Sequence, residues 1–403
     1  MHMQPFDSIP PALEQGINSL DETLSARSLA PHAPYSALRA LSLHAMEGFS
    51  QALSHQAALF SSSQDIRRQL ALIRRTDARQ QITLSSLPLP HGDEPSRGIF
   101  LSMLGLEFSA ALAQRLPEGE IRKALDFTVP EYQDAIYRLS NLLMLEKNMP
   151  AQKILGGYAE IMPGRPLIAC QRHPYDDVKH AADCRGILEE MAPLILAAVA
   201  EAQRGFFMQA VSHAENAIAR GLYAELSLLA EEHRTLFSSL IPRKDPLEQM
   251  LLCQYTEAYL YSSWAETEEN DALRQLYRQE GAHELTHIRK AHALCIQEGK
   301  AIDLPAFPPF LQLGPQKGYV RDMLQNAGVT GLREGYSAVG SLPPGADFFR
   351  YQQKLFPHPE KAPSHQIIAQ LIEKTGEDYR YEIAPHPLEG MRNRQQDSLK
   401  IGR

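Results

Sequence analysis

The chain has 403 residues, 44% apolar and 22% charged, with a formal net charge of −8. That length allows two or three domains with a substantial core, the composition is that of an ordinary globular protein, and the negative balance gives no electrostatic footprint for nucleic acid. No apolar run approaches the roughly 18 residues of a membrane span, the N-terminus lacks the basic-then-apolar pattern of a secretory signal, and four cysteines without a C-x-x-C pair fit a reducing cytoplasm.

Helical periodicity covers about residues 36–60 and 63–75, and residues 82–84 read as a short strand. The Arg67-Arg68 and Arg74-Arg75 doublets read as a solvated helix face rather than a phosphate patch. Residues 86–98, rich in Pro and Gly, read as a linker. Helices follow over about 99–114 and 130–147, the second with Pro130 in its first turn. Between Gly156 and Cys184 the periodicity lapses. The stretch reads as a packed belt, rigidified by Pro and by local Arg/Asp pairing, with a functional loop as the alternative. His173 and His180 flank it.

Four amphipathic stretches come next, over about 190–211, 217–240, 246–267 and 272–297, with Asn216 as an N-cap and Pro246 in a first turn. A Pro-rich connection over 304–315, short helices near 319–325 and 366–374, and a polar tail from about Pro385 complete the chain. The segments are 1–95 (N-terminal helical region), 96–184 (helices plus the long loop), 185–300 (a four-helix bundle) and 301–403 (an irregular extension). The fold class is all-α.

The four amphipathic stretches share a fault. Each carries an acidic residue or a histidine where its apolar stripe demands a core residue: Glu201, His233, Glu257, and the pair Glu284/His287. Charged side chains are rarely buried unless paired or bound to a metal. Glu284 and His287 are three residues apart, hence neighbours on one helix face. An isolated Glu-x-x-His is usually solvent-facing; the position of this pair on the apolar stripe argues for a site. Glu280 and His283 repeat the spacing one turn earlier and read as supporting or exposed.

Connection geometry gives a second argument. Positions level on adjacent antiparallel helices are equidistant from the loop between them. The midpoints between Glu201, Ala230, Glu257 and Glu284 fall on the predicted loops near Asn216, Arg243 and Asn270. The four positions can therefore form one layer of an up-down bundle. Three helices offer Glu201, Glu257 and Glu284/His287, and the fourth offers His233. The residue three before His233 is Ala230, so a second Glu-x-x-His is incomplete and Glu231 is its nearest substitute. The site reads as asymmetric, mononuclear or lost. Oxygen-rich ligation with imidazole suits Fe or Mn, and no thiolate is offered. Tyr255, Tyr259 and Tyr261 read as core tyrosines with satisfied hydroxyls rather than a radical relay, and Cys253 and Cys295 as small core residues.

The chain resembles the ferritin-like superfamily, and within it a group of bacterial ferritin-like proteins. The similar stretches are Tyr137-Arg-Leu-Ser-Asn-Leu-Leu143, Glu160-Ile-Met-Pro-Gly-Arg-Pro166, Arg172-His-Pro-Tyr-Asp-Asp177, Leu222-Tyr-Ala-Glu225, Glu231-Glu-His233, Tyr255-Thr-Glu257 and Glu284-Leu-Thr-His287. The resemblance covers about residues 125–325. It implies a ferritin-like bundle with a carboxylate-bridged dinuclear centre, and Glu201, His233, Glu257, Glu284 and His287 as ligand positions. The expected function is a metal-dependent oxidoreductase with a dinuclear Fe or Mn/Fe centre, acting on O2 and a small-molecule substrate. The alternative is a non-catalytic iron-handling or partner-binding protein with a partly degraded site. A homodimer is the expected assembly; no catalytic residue beyond the ligands is assigned.

Overall fold

The computed structural model describes residues 34–88, 92–156, 159, 161–243, 245–300, 302–326, 351, 354–358 and 361–376. The N-terminal segment before residue 34 and the tail expected from Pro385 lie outside the described residues. Among the described residues the chain is all-helical, with no strand. The longer helices are α1 (Pro34–Phe60), α2 (Gln64–Ser85), α3 (Glu94–Ala113), α4 (Glu120–Lys147), α5 (Ile187–His213), α6 (Ala217–Leu240), α7 (Pro246–Thr267), α8 (Asp271–Gln297), α9 (Lys317–Asn326) and α10 (Pro363–Thr375). They fall into two compact units, each assembled from segments distant in sequence. The first takes α1, α2, the segment Ala181–Val199 with the start of α5, α7 and α8. The second takes α3, α4, the rest of α5, α6, α9 and α10.

In the first unit α1 packs on α2 and α7, α7 on α8, and α8 on α2, closing a ring of four helices. Both hairpins are punctuated by caps. Ser63 accepts the Ile66 N–H at the start of α2, Asp245 accepts Leu247 and Glu248 at the start of α7, and Asn270 accepts Ala272 and Leu273 at the start of α8. The inward stripe of α2 is Ile66, Leu70, Ile73, Asp77, Gln80 and Leu84. Residues 82–84, expected as a strand, are the last turn of that helix. Leu84 continues the 3.6-residue stripe and the Ser86 N–H closes back onto Ile82. The Pro-rich connection straps the outside of α7. Tyr255 and Tyr259 donate their hydroxyls to the carbonyls of Pro305 (3.1 Å) and Pro309 (2.9 Å), and Ser263 Oγ accepts the Leu311 N–H at 3.2 Å. These three residues are spaced by four, one face of the helix.

In the second unit α3 packs on α4, and α4 on α6. The expected linker over 86–98 is shorter, because Asp93 caps α3 by accepting the Ser96 N–H at 2.9 Å. Pro130, expected in a first turn, lies inside α4. The loop after α4 fills in around it. Arg165 N donates to the Pro130 carbonyl at 2.9 Å, and Asp134 accepts Gly164 N and Leu167 N at 3.2 and 3.1 Å. Gly164 lies so close that a Cβ there would sit 1.9 Å from the Pro130 oxygen. Residues 161–172 are therefore a packed belt. Helix α5 passes a length-and-composition test for a membrane span, a qualification to the sequence reading. Its most apolar window is 56% buried, as a core helix would be.

Helix α10 docks on α4 and α6. Its N-terminus is capped by Glu225, which accepts the Ser364 N–H at 3.2 Å, while Arg138 donates to the Ser364 carbonyl at 2.7 Å. Burial raises the Glu225 carboxyl to about 7, against the lowering effect of the Ser364 hydrogen bonds and Arg138. A raised acid stabilises the folded state below its ordinary pKa, and that contribution is lost as pH rises through the folded value. Hydrogen-exchange protection of α10 should fall between about pH 5 and pH 8, and Glu225→Gln should flatten that dependence. Unchanged protection across this range would contradict the assignment.

Candidate metal centre

The interior of the first unit's ring is acidic. Glu47 of α1, Asp77 of α2, Glu257 of α7 and Glu284 with His287 of α8 are all 0% exposed. Each occupies a core position: Asp77 lies between Ile73 and Gln80 on the α2 stripe, and Glu47 lies between Leu43 and Ser50 on that of α1. Helical register, not loop geometry, delivers all five side chains.

His287 Nδ1 stands 3.2 Å from Glu284 Oε2 and 3.3 Å from Asp77 Oδ1. One donor atom from each of these three residues lies within 4.8 Å of the others. A cation with donors at about 2.1 Å spaces neighbouring donors roughly 3.0–3.4 Å apart in octahedral or tetrahedral geometry; the two His287 distances fall in that range, as a hydrogen-bonded imidazolium would also place them.

The hydrogen bonding shows a pattern. Every one of the four carboxylates has one oxygen held and the other without a hydrogen-bond partner. Glu47 Oε1 accepts the Tyr261 hydroxyl at 2.7 Å, Asp77 Oδ2 accepts Ser50 at 2.8 Å, Glu257 Oε2 accepts Gln254 at 2.9 Å, and Glu284 Oε2 faces His287 Nδ1. Glu47 Oε2, Asp77 Oδ1, Glu257 Oε1, Glu284 Oε1 and His287 Nε2 have no hydrogen-bond partner. A buried orphan of this kind costs about 1–3 kcal/mol, more if charged. Five in one helix interior call for a shared partner.

Electrostatics agree. Burial, then the Glu284 and Asp77 charges, push Glu47 well above its ordinary value. Burial, then Cys253, Glu47, Glu284 and Asp77, do the same to Glu257. Burial raises Asp77 to about 7, although His287 opposes it. Burial alone would lower His287, but Glu284 and Asp77 outweigh it and hold the imidazole above its usual value. The nearest guanidinium, Arg79, is engaged with Glu280 through two bonds of 2.8 and 3.2 Å. Without cations the centre must therefore hold protons. The donor set is carboxylate and imidazole. Cys253 lies nearby with its thiol pushed up by burial and by Asp77.

The sequence-predicted residues divide. Glu257, Glu284 and His287 belong to this acidic interior. Glu201, Glu231 and His233 belong to the second unit. There Glu201 and Glu231 do not turn into an apolar core; their side chains are 36% and 46% exposed, in a cluster with Arg204 and Arg234. Two arginines at helical spacing give these carboxylates their counter-ions at the periphery. His233 is buried, but Nε2 pairs with Glu131 Oε2 at 2.7 Å. Glu131 Oε1 also takes Arg165 at 2.8 Å and Arg172. Burial would raise Glu131, but Arg172, His233 and Arg165 outweigh it and hold it well below the carboxylate range. In that unit guanidinium groups do the neutralising. The sequence reading missed Glu47, Asp77 and Glu131. Asp77 was legible as a break in an otherwise regular stripe, but the N-terminal helices were read only for their extent.

Compared with known proteins, the chain matches no protein-family model, no curated protein and no solved structure. The site's chemistry therefore rests on its own residues.

Arg172 is 2% exposed and contacts Glu131, Asp177 and Glu232. Arg172→Met should lower the stability of the protein by about 3–5 kcal/mol, as breaking a buried charge network does. Denaturant unfolding gives that value, and a loss below about 1 kcal/mol, the range of an exposed pair, would contradict it.

Proposed function

We propose that the first unit binds two divalent transition-metal cations, iron or manganese with iron, and uses them in an oxidoreductase reaction with O2 and a small organic substrate. The supporting observation is the set of four buried carboxylates, each held through one oxygen, with the second oxygen of Glu47, Glu257 and Glu284 lacking a hydrogen-bond partner and that of Asp77 facing His287. Two divalent cations would balance four carboxylates, and His287 would add an imidazole to one of them. We read the ring of α1, α2, α7 and α8 as the ferritin-like bundle, in place of one drawn from residues 185–300. The incomplete Ala230/His233 motif belongs to the other unit, so it no longer argues for a degraded centre.

Bound in this interior, such cations supply the one-electron steps that O2 reduction requires. The chain's own groups set the conditions. Complete burial of all five ligands excludes bulk water. Tyr261 fixes one oxygen of Glu47, and Glu284 and Asp77 orient the His287 ring. Release of protons from the raised carboxyls accompanies cation uptake.

Protein expressed with iron and manganese supplementation should contain near-stoichiometric metal by elemental analysis, should melt higher than its chelator-treated form, and should consume O2 once reduced. Metal without O2 consumption would shift the reading to iron handling; no metal and no thermal shift with Fe2+ or Mn2+ would remove it.

Two variants and a titration refine the test. Glu257→Gln removes a desolvated charge, so the metal-free protein should become more stable near pH 8 while the cation-induced rise in melting temperature shrinks. Glu284→Gln should likewise shrink the cation-induced rise in melting temperature. Because binding displaces protons, Mn2+ affinity in chelator competition should be weaker at about pH 6 than at about pH 8. The opposite pH trend would count against carboxylate ligation.

A further inference from the structure

Two fully buried polar side chains beside the centre are not ligands: Gln254 of α7, one turn before Glu257, and Ser50 of α1. Gln254 Nε2 donates to Glu257 Oε2 at 2.9 Å and to Ser50 Oγ, and Ser50 Oγ donates to Asp77 Oδ2 at 2.8 Å. With both carboxylates ionised, as cation ligation requires, the directions follow from proton counting. An amide nitrogen has two hydrogens, and both are used at these distances, with Asp77 Oδ2 at the 3.5 Å limit. Reversing the amide would set its oxygen against a carboxylate oxygen. With Ser50 Oγ accepting from Gln254, its single proton turns to Asp77. The relay thus links α7, α1 and α2, and it ends on one oxygen of each of two carboxylates.

We propose that Gln254 and Ser50 are positioning residues that occupy the outer oxygens of Glu257 and Asp77, so that each offers a single oxygen to a cation and the coordination number is set by the protein. The argument is geometric. A free carboxylate can rotate and chelate through both oxygens; one oxygen held by a fixed donor cannot. Both donors sit on helices, at positions 0% exposed, so water does not compete for them. Of the remaining oxygens, Glu257 Oε1 has no hydrogen-bond partner and Asp77 Oδ1 faces His287 Nδ1 at 3.3 Å, so these are the atoms left for a cation. The same device recurs at Glu47 with Tyr261, but only the Gln254–Ser50 relay spans two carboxylates. This inference rests on cation binding by the centre.

Co2+ is a suitable probe, because its visible absorption is weak when six-coordinate and stronger at lower coordination. Wild-type protein, Gln254→Met, Ser50→Ala and the control Ser262→Ala would be titrated with Co2+, and the melting temperature of each metal-free form recorded. Met keeps the length of Gln without its donors. Ser262 donates only to the Ala258 carbonyl, so its loss probes α7 without touching the centre. Gln254→Met and Ser50→Ala should weaken Co2+ binding about tenfold or more, as loss of an outer hydrogen-bond partner does, and should lower the molar absorption of the bound ion as the released oxygens chelate. Ser262→Ala should leave the spectrum unchanged. Spectra of both variants superimposable on wild type, with only melting temperatures moved, would overturn the inference and leave cation binding standing. Wild-type protein that takes up no Co2+ would overturn both. If Gln254→Met does not fold, Ser50→Ala, a loss of one hydroxyl, decides alone.

Discussion

Four buried carboxylates that share a single imidazole are the constraint around which the first unit is built. They enter the ring of α1, α2, α7 and α8 with His287, and the buried guanidiniums of the same unit are committed elsewhere, Arg39 to Glu268 and Arg79 to Glu280. Desolvation of an ionised carboxylate costs several kcal/mol even after relaxation. The interior tolerates these groups only by holding protons or by holding cations. The hydrogen bonds from Tyr261, Ser50 and Gln254 reduce the cost without removing it, because each satisfies one oxygen; the second oxygens of Glu47 and Glu257 have no hydrogen-bond partner, and that of Asp77 has only the imidazole of His287 near it.

The second unit solves the same problem in another way. Glu131 is as deeply buried as Glu257, yet Arg165, Arg172 and His233 surround it, and its acidity moves in the opposite direction. Guanidinium groups are donors in a fixed plane and cannot leave. A cation can. The second unit thus carries its counter-charge covalently, whereas the first, under the proposed function, would take an exchangeable one.

The sequence carried much of the fold. Period and caps located α6, α7 and α8 almost to the residue, because Asn216, Asp245 with Pro246, and Asn270 satisfy helix-terminal N–H groups locally. They could not say which helices share a core. Register arithmetic assumes that consecutive helices are neighbours, and it held for α7 with α8. It could not anticipate that α1 and α2, far back in the chain, complete that core. Stripe interruptions found Glu257, Glu284 and His287, because a buried charge disturbs a local pattern. The same logic overreached at Glu201, where arginines three residues away and on a neighbouring helix hold a half-exposed carboxylate. It misplaced Pro130, because a proline reads as a helix start locally, whereas here it lies inside α4.

The ring's composition has a consequence for assembly. Its two hairpins are separated by most of the second unit's sequence; Glu47 and the hydroxyl that steadies it, on Tyr261, stand 214 positions apart. On the ribosome the first hairpin emerges carrying two acids that have nothing to face. That interior is complete only once α8 has left the exit tunnel, so under the proposed function an ion would be acquired after the second hairpin has joined the first, and not by the first hairpin alone.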